Sequence, residues 1–498
     1  MEELLRLSRG FAFASGSPRL NSDMSENTLT ALRGSQWANW LECLGWGAAI
    51  LLFARLALEE DLTWVGWVTA GVAVVLLAVL RWPYGALFVL IAMSAMPVFF
   101  VEIFGWKARP EHFAAAIIAI AVAIGLALYK RRVSLNKLDY WILAYVAINF
   151  ISSAFGSPAP AATLRWALQN SLAVLPYFLI RFLVTDLEAL GKAFRILLGV
   201  GLAESAYGIF CYVSHDVLGS TIGMSIGQYL SDVAAPYGSM YEPNLFGAYS
   251  GCCAVLFLTL YVAGGQNRTG YLACFSIAAL ASVLSFSRAA LFALVVAVTW
   301  VFWKARSGGR SGHRRLASIV LAAALILVVA ASALGGVLRE RFINIYYQGL
   351  AEETTISRFI VMEEALQEIP RHPLLGSGTA SFNLSFDWAR YNPEWVSDKT
   401  WIGNTPLRVL HDTGLLGLAA FLGFFVSVWW KIYLGLRGRG SQNPILVGLS
   451  AGTLLYAISF QLTDGSVLAF TWVHLGFLAC AAILIKRPEH NMAVQGET

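Results

Sequence analysis

The chain reads as all-α, a polytopic bundle of transmembrane helices. Three observations carry that reading. The 498 residues are 58% hydrophobic and only 13% charged, against about 25% charge in an average soluble domain. Apolar runs long enough to cross a bilayer recur throughout. Such runs must be helices, because backbone groups in lipid are satisfied within their own segment. The period-two alternation of a membrane barrel is absent.

About fourteen spans are expected, with twelve to fourteen as the range. They lie near 41–58, 63–80, 84–101, 112–129, 139–155, 163–183, 193–213, 243–263, 270–286, 288–303, 316–335, 414–434, 444–461 and 466–485. Basic residues set their orientation. Lys130, Arg131, Arg132, Arg306, Arg310, Arg314, Arg315, Arg437, Arg439, Lys486 and Arg487 share one side, and 23 of the 35 Lys and Arg residues fall there. Both termini are therefore expected in the cytoplasm, with Glu59, Glu60 and Asp61 outside. The division is a tail over 1–40, membrane helices 1–11 over 41–335, a large outer loop over 336–403, membrane helices 12–14 over 404–486, and a tail over 487–498. The first tail has no signal-peptide pattern. The net charge of +5 is spent on orientation and implies no nucleic acid. The six cysteines lie in or beside apolar runs, without metal or redox spacing, and read as core.

The outer loop carries six of the Lys and Arg residues, against the usual cytoplasmic sorting of basic side chains. Within it Ile356, Phe359, Ile360, Leu366 and Ile369 share a face at helical spacing, which predicts an amphipathic helix against the bilayer or the bundle. Pro370 stops it, and Gly376-Ser377-Gly378 is a turn.

Several outer helix starts carry arginine where the dipole favours an acid. Arg165 follows Thr163, Arg288 follows Ser287, Arg358 follows Ser357, and Arg408 follows Asn404-Thr405-Pro406. Each either reaches lipid headgroup phosphates or meets a bound phosphate. Four on one face favour a bound phosphate or pyrophosphate. Glu242-Pro243-Asn244 opens another span, with Pro243 suited to the first helical position. Glu242 is either a simple cap or a carboxylate that deprotonates a hydroxyl. His411 is a second candidate base, although a histidine at a membrane boundary is more often structural. Asp412-Thr413-Gly414 matches the aspartic-protease tripeptide by chance, and Asp464 reads as a turn residue. Glu204 is the exception among spans otherwise nearly free of charge at their centres. No HExxH, Walker A or DxD signature occurs, so no metal or cofactor is expected.

These residues also carry a resemblance. The run from Tyr237 through Glu242-Pro243-Asn244 to Gly247 resembles the EPN segment of the O-antigen ligase and polysaccharide polymerase superfamily. Ser285-Phe286-Ser287-Arg288 is similar to its serine–arginine helix start. Ser357-Arg358 and His372-Pro373 to Gly378 resemble the two ends of its periplasmic loop. Asn404 with Gly414 and Gly417 resembles its closing signature, and Gly403 stands where the family has a histidine that its ligases need. That departure favours the polymerase branch over transfer to lipid A-core.

The resemblance, covering about residues 230–420, implies a metal-independent glycosyltransferase of the bacterial inner membrane. The donor would be an oligosaccharide on polyprenyl pyrophosphate, the acceptor a glycan. The candidate catalytic residues are Arg288, Arg358, Glu242 and His411, and the candidate substrate-binding residues are Arg165, Arg408, Asn244 and Asn404. Chain-length regulators and flippases are further candidate partners in exopolysaccharide or lipopolysaccharide assembly. The rival readings are an O-antigen ligase with another acceptor, a lipid-linked glycan transporter or flippase, and a non-catalytic assembly subunit. Transporters tend to place charge mid-membrane and to repeat their halves, which this sequence does not do.

Overall fold

Proline and Asx residues set where most of the helices begin. The computed structural model describes residues 82–103, 106–128, 134–225, 234–264, 267–305, 353–391, 400–436 and 443–485. The expected spans at 41–58, 63–80 and 316–335, both tails and Cys43 lie outside the described residues. Pro83 starts α1 (Pro83–Ser94). A hairpin, β1 (Val101–Ile103) and β2 (Trp106–Ala108), leads to α2 (Pro110–Leu128). Asn136 and Asp139 form a capping box at the start of α3 (Lys137–Phe155). Pro160 starts α4 (Pro160–Leu183). The Asp186 side chain caps α5 (Leu187–Leu218), which ends on left-handed Gly219.

A second hairpin, β3 (Met224–Ser225) and β4 (Ala235–Pro236), precedes α6 (Pro243–Ala263), again with proline first. Then come α7 (Arg268–Leu284), α8 (Arg288–Ala305), α9 (Glu353–Glu368), the short α10 (Phe382–Ser385), α11 (Thr405–Leu436), α12 (Pro444–Ser459) and α13 (Ala469–Leu484). Among the described residues the protein is all-α apart from two small hairpins. Among the described residues, α3, α5, α6 and α11 are each long and apolar enough to cross a membrane, and α1, α2, α7, α12 and α13 are shorter apolar helices.

Several boundaries differ from the sequence expectation: α4 starts at Pro160 and α5 runs over Leu187–Leu218, and two further differences have a direct cause. The span expected over 84–101 ends at Ser94, because Pro97 cannot continue a helix; the Val98 N–H donates instead to Ser239 O at 3.1 Å. The span expected from 414 begins at Thr405, since Pro406 sits in its first turn, where proline is tolerated.

Helix α6 is the axis of the bundle and is buried from Leu245 to Val262. It packs against α7, α12, α8 and α5. Glycines make this closeness feasible. A Cβ on Gly251 would lie 3.1 Å from Leu455 of α12 and 3.2 Å from Ser282 of α7. Ser282 donates to the Gly247 carbonyl at 2.9 Å. Outside this axis α11 packs on α3, and α13 on α4. Away from the loop end, Arg181 of α4 bonds Asp139 of α3 through Nε at 3.2 Å and Nη2 at 3.3 Å, and the Tyr177 hydroxyl donates to the same carboxylate at 2.8 Å. The described cysteines are unpaired, four of the five buried.

The amphipathic helix is α9, and Pro370 ends it. Its bundle-facing line is Val361 and Ala365, packed with Phe382, Ile402 and Leu407. Phe359 and Leu366 of the apolar face do not join this packing and are exposed. The small Ala365 admits close approach, and the bulkier side chains are left outside.

Helix α11 is broken at Gly414, where φ is 63° and ψ −167°. The segment His372–Gly378 is laid into the break. Ser377 N–H donates to His411 O at 2.9 Å and Gly378 N–H to Asp412 O at 3.0 Å; Leu415 and Leu416 N–H groups donate to Pro373 O at 2.9 Å and Leu374 O at 3.2 Å. Both interrupted ends of the helix are thus satisfied by the strap. A Cβ on Gly376 would lie 2.5 Å from three backbone atoms of Asp412–Gly414, and one on Gly414 would strike the Leu374 carbonyl. Gly414→Ala should therefore destabilise the fold by about 2 kcal/mol or more, combining a left-handed conformation with a backbone clash. Thermal unfolding in detergent and protease cleavage of the strap measure this; an unchanged melting temperature in Gly376→Ala and Gly414→Ala would refute it.

Candidate functional site

Three polypeptide segments meet at the loop end of the bundle: the start of α6, the start of α11, and the turn Phe460–Leu468 between α12 and α13. Asn404 caps α11 by accepting from Leu407 N–H at 2.9 Å, and its amide donates to Gln461 O at 3.2 Å and Oε1 at 3.1 Å. The Thr405 N–H donates to Phe460 O at 2.9 Å. Asp464 accepts from the Thr405 hydroxyl at 2.8 Å, the Ser466 N–H at 3.0 Å and the Ser466 hydroxyl at 2.7 Å.

Arg408 is buried behind this turn. It ion-pairs with Asp464 through Nε and with Asp412 through Nη1 at 3.1 Å, and donates to Ser466 at 2.7 Å. One guanidinium between two carboxylates balances charge only in part, so the remaining lone pairs need donors. Asp412 takes one from the Ala380 N–H at 3.0 Å and stands 3.1 Å from His411 Nδ1. Sequence reasoning passed over both acids, one as a chance tripeptide and one as a turn residue. The available signal was Arg408 at helical spacing before Asp412.

Glu242 occupies the N-cap position of α6, with extended backbone and no capping hydrogen bond from its side chain. The Thr463 hydroxyl donates to it. It keeps part of its surface open while lying deep among neighbouring atoms. Burial pushes its carboxyl above the usual carboxylate range, against the Thr463 hydrogen bond and the Arg358 charge, and the like charge of Asp464 adds to the rise. Arg358, half-buried on α9, is therefore close enough to act on Glu242, and the loop helix belongs to the site. Asn244 is half-buried at the second position of α6. A Cβ on Gly403 would find room, 3.5 Å from Leu462 O and 4.0 Å from Thr463 Cα. Position 403 thus faces the turn that holds Glu242.

The arginines do not all stand where the sequence placed them. Arg288 is the first residue of α8 and is exposed. It follows a tight turn in which buried Phe286 has φ 53°, and Ser287 Oγ accepts from the Ala290 N–H at 3.3 Å. Arg165 and Arg358 each lie more than a turn inside their helices, since α4 starts at Pro160 and α9 at Glu353. Arg165 is exposed and donates to Ala161 O at 3.2 Å. Of the four arginines, Arg288 alone stands at the first position of its helix, while Arg408 is turned inward onto acids.

His411 is buried with both ring nitrogens engaged: Nδ1 with Asp412, and Nε2 with Glu368 Oε2 at 2.9 Å. Its ring meets Phe382 edge-on, centroids 5.5 Å apart. It clasps the end of α9 to α11. Further stitches run from the loop to α3. Ser152 donates to Asp412 O at 2.5 Å and accepts from Gly378 N–H at 3.1 Å, and the Thr379 hydroxyl donates to Asn149 at 3.0 Å.

A helical membrane bundle with a polar cluster at one end, against which the described loop segment 353–391 packs, is the class of protein these features define. Residues 273–422 match the O-antigen ligase family. The match places this segment in the O-antigen ligase and polysaccharide polymerase superfamily. It runs from α7 through the loop and strap into the second half of α11; Glu242 and the Phe460–Leu468 turn lie outside it. Members are glycosyltransferase-like ligases and polymerases acting on lipid-linked oligosaccharide and an acceptor glycan. The chain is a multi-pass membrane protein with an O-antigen ligase-like part in glycan assembly. No curated protein matches it.

The clasp has a pH signature. Glu368 is held below the usual carboxylate range, first by its hydrogen bond to His411. Its stabilising contribution is therefore present at neutral pH and is lost as the pH falls through that lowered value. Limited proteolysis of the loop should accelerate in strong acid, and Glu368→Gln should be cleaved faster already at neutral pH. Equal cleavage of both proteins across the range would remove the clasp from the account.

Proposed function

We propose that the protein is a glycosyltransferase of the bacterial inner membrane, with the loop end on the outer face and both termini cytoplasmic. It moves glycan from polyprenyl pyrophosphate to an acceptor sugar. The observation that supports this best is Glu242 at the mouth of α6 within reach of the Arg358 charge. An acid whose proton affinity is raised by burial is a better base than an ordinary glutamate. Glu242 takes the proton of the acceptor hydroxyl as its oxygen attacks the anomeric carbon. The bond from that carbon to the pyrophosphate oxygen breaks, and polyprenyl pyrophosphate leaves with the electron pair. Negative charge grows on the leaving phosphate, and fixed cations favour it without a metal. Arg358 and Arg288 fill that role, with Arg165 at the rim; Asn244 orients sugar hydroxyls. Arg408, Asn404 and His411 hold the framework.

Gly403 favours the polymerase branch over a ligase that acts on lipid A-core. The flippase reading and the assembly-subunit reading are separated from it by a deletion strain. A lost polymerase leaves single repeat units on the cell surface, whereas a lost flippase leaves them inside.

Arg288→Ala and Arg358→Ala should abolish long-chain glycan while the protein still inserts; normal polymer from both would end the proposal. Glu242→Gln should lower turnover by about 10²–10⁴-fold, the usual contribution of a positioned base. In the wild type, activity should fall on acidification at a pH above the ordinary glutamate value of about 4.3, because the base must be ionised to act. Gel profiles of surface glycan and a reconstituted assay across pH read these outcomes.

A further inference from the structure

Glu204 lies in the interior of the membrane helix α5 and is 7% exposed. Its Oε1 accepts the Ser239 N–H at 2.8 Å. Its Oε2 is 2.7 Å from Ser239 Oγ, and the same Oγ is 2.7 Å from the carbonyl of Ala95 at the end of α1. A serine hydroxyl has one hydrogen, and a carbonyl can only accept. If Glu204 were ionised, one of these two short contacts would have no hydrogen between its oxygens. With a proton on Oε2 both bonds are made: Glu204 donates to Ser239, and Ser239 donates to Ala95.

The surroundings agree. Among the described residues, the titratable groups that face the carboxyl are Tyr207 and Cys211 of α5, with Tyr237 beside Tyr207, and Tyr249 of α6. None of the four is a cation. Tyr84 of α1 faces Lys192, and Tyr271 of α7 faces Arg195, both near the start of α5. His474 of α13 is bonded to Thr453 and Leu449 O. An ionised carboxylate without a cation inside a spanning helix is costly.

We propose that Glu204 is a protonated carboxylic acid that donates to Ser239, and that it acts as a positioning residue for Glu242. The turn before α6 is built around it. Gly238 has φ 59°, and a Cβ there would strike Glu204 Oε1. Ser239 O also accepts from Val98 N–H at 3.1 Å. Ser239 is therefore held by α5 on one side and by the end of α1 on the other, three residues before Glu242. The activity arm of the test rests on the role given to Glu242 above; the spectroscopic arm does not.

The test is an infrared difference spectrum of the full-length protein in lipid nanodiscs at neutral pH, wild type minus Glu204→Gln. A lost carboxylic-acid C=O band that shifts in Ser239→Ala is the expected result. Loss of a carboxylate band instead overturns the proposal. In cells, glutamine can donate and accept as the neutral acid does, so Glu204→Gln should keep near-wild-type polymer and Glu204→Leu should lose it. Equal loss in both overturns the positioning role. Should Glu204→Leu fail to accumulate in the membrane, Ser239→Ala removes the same bond from the other side and should lose polymer; full polymer there refutes the role. If Glu242→Gln is without effect, the proposed function fails, while the infrared result still decides the protonation state.

Discussion

Everything at the loop end hangs on one backbone constraint, the interruption of α11 at Gly414. A helix broken inside a membrane bundle exposes carbonyls above the break and N–H groups below it. Each such group left without a partner in an apolar setting costs several kcal/mol. Here the strap His372–Gly378 answers four of these groups: two of its N–H groups serve the upper half and two of its carbonyls the lower. The geometry tolerates almost no side chain, which is why glycine stands at 376 and 414. The loop is thus joined to the bundle by main-chain bonds as well as by side chains.

A second layer of polar bonds ties that break to the site. Asp412 sits at the last helical turn before it and receives Arg408, the Ala380 N–H and the His411 contact. Arg408 passes the connection to Asp464, and Asp464 fixes the turn whose Thr463 holds Glu242. Removing one charge from such a buried set leaves its partner uncompensated, a loss of about 3–5 kcal/mol in comparable cases. The same set therefore carries both the placement of the loop and the placement of the candidate base.

The sequence made the apolar spans legible, because lipid demands long uninterrupted runs. It also made α6 legible to the residue, since Pro243 marks a helix start with little ambiguity. It concealed the start of α4, because an arginine after a threonine looks like a helix opening although Pro160 lies a turn upstream. The break in α11 was hidden for a different reason. The apolar pattern starts the span at Gly414, so the polar turns from Thr405 to Thr413 conceal that a helix already runs there, and only the arrival of a distant strap turns the glycine into a joint. Asp412 and Asp464 are equally hard to see locally, one inside a chance tripeptide and one in a turn, because their common partner Arg408 declares itself only in the fold. Local pattern reports which residues are polar; it does not report which polar residues consume one another.

The burial of α6 on every side bears on how the protein is made. During synthesis α6 enters the bilayer before α7, α8 and α12 exist, and for that period lipid must be its solvent. Its sequence is apolar enough to be stable there. The last of these neighbours, α12, begins at Pro444, so the helix that bears the candidate base at its tip waits through most of the remaining translation before it is enclosed. A ribosome stalled before α12 would leave that surface, with Gly251 at its centre, facing lipid and open to any other helix with a small-residue face.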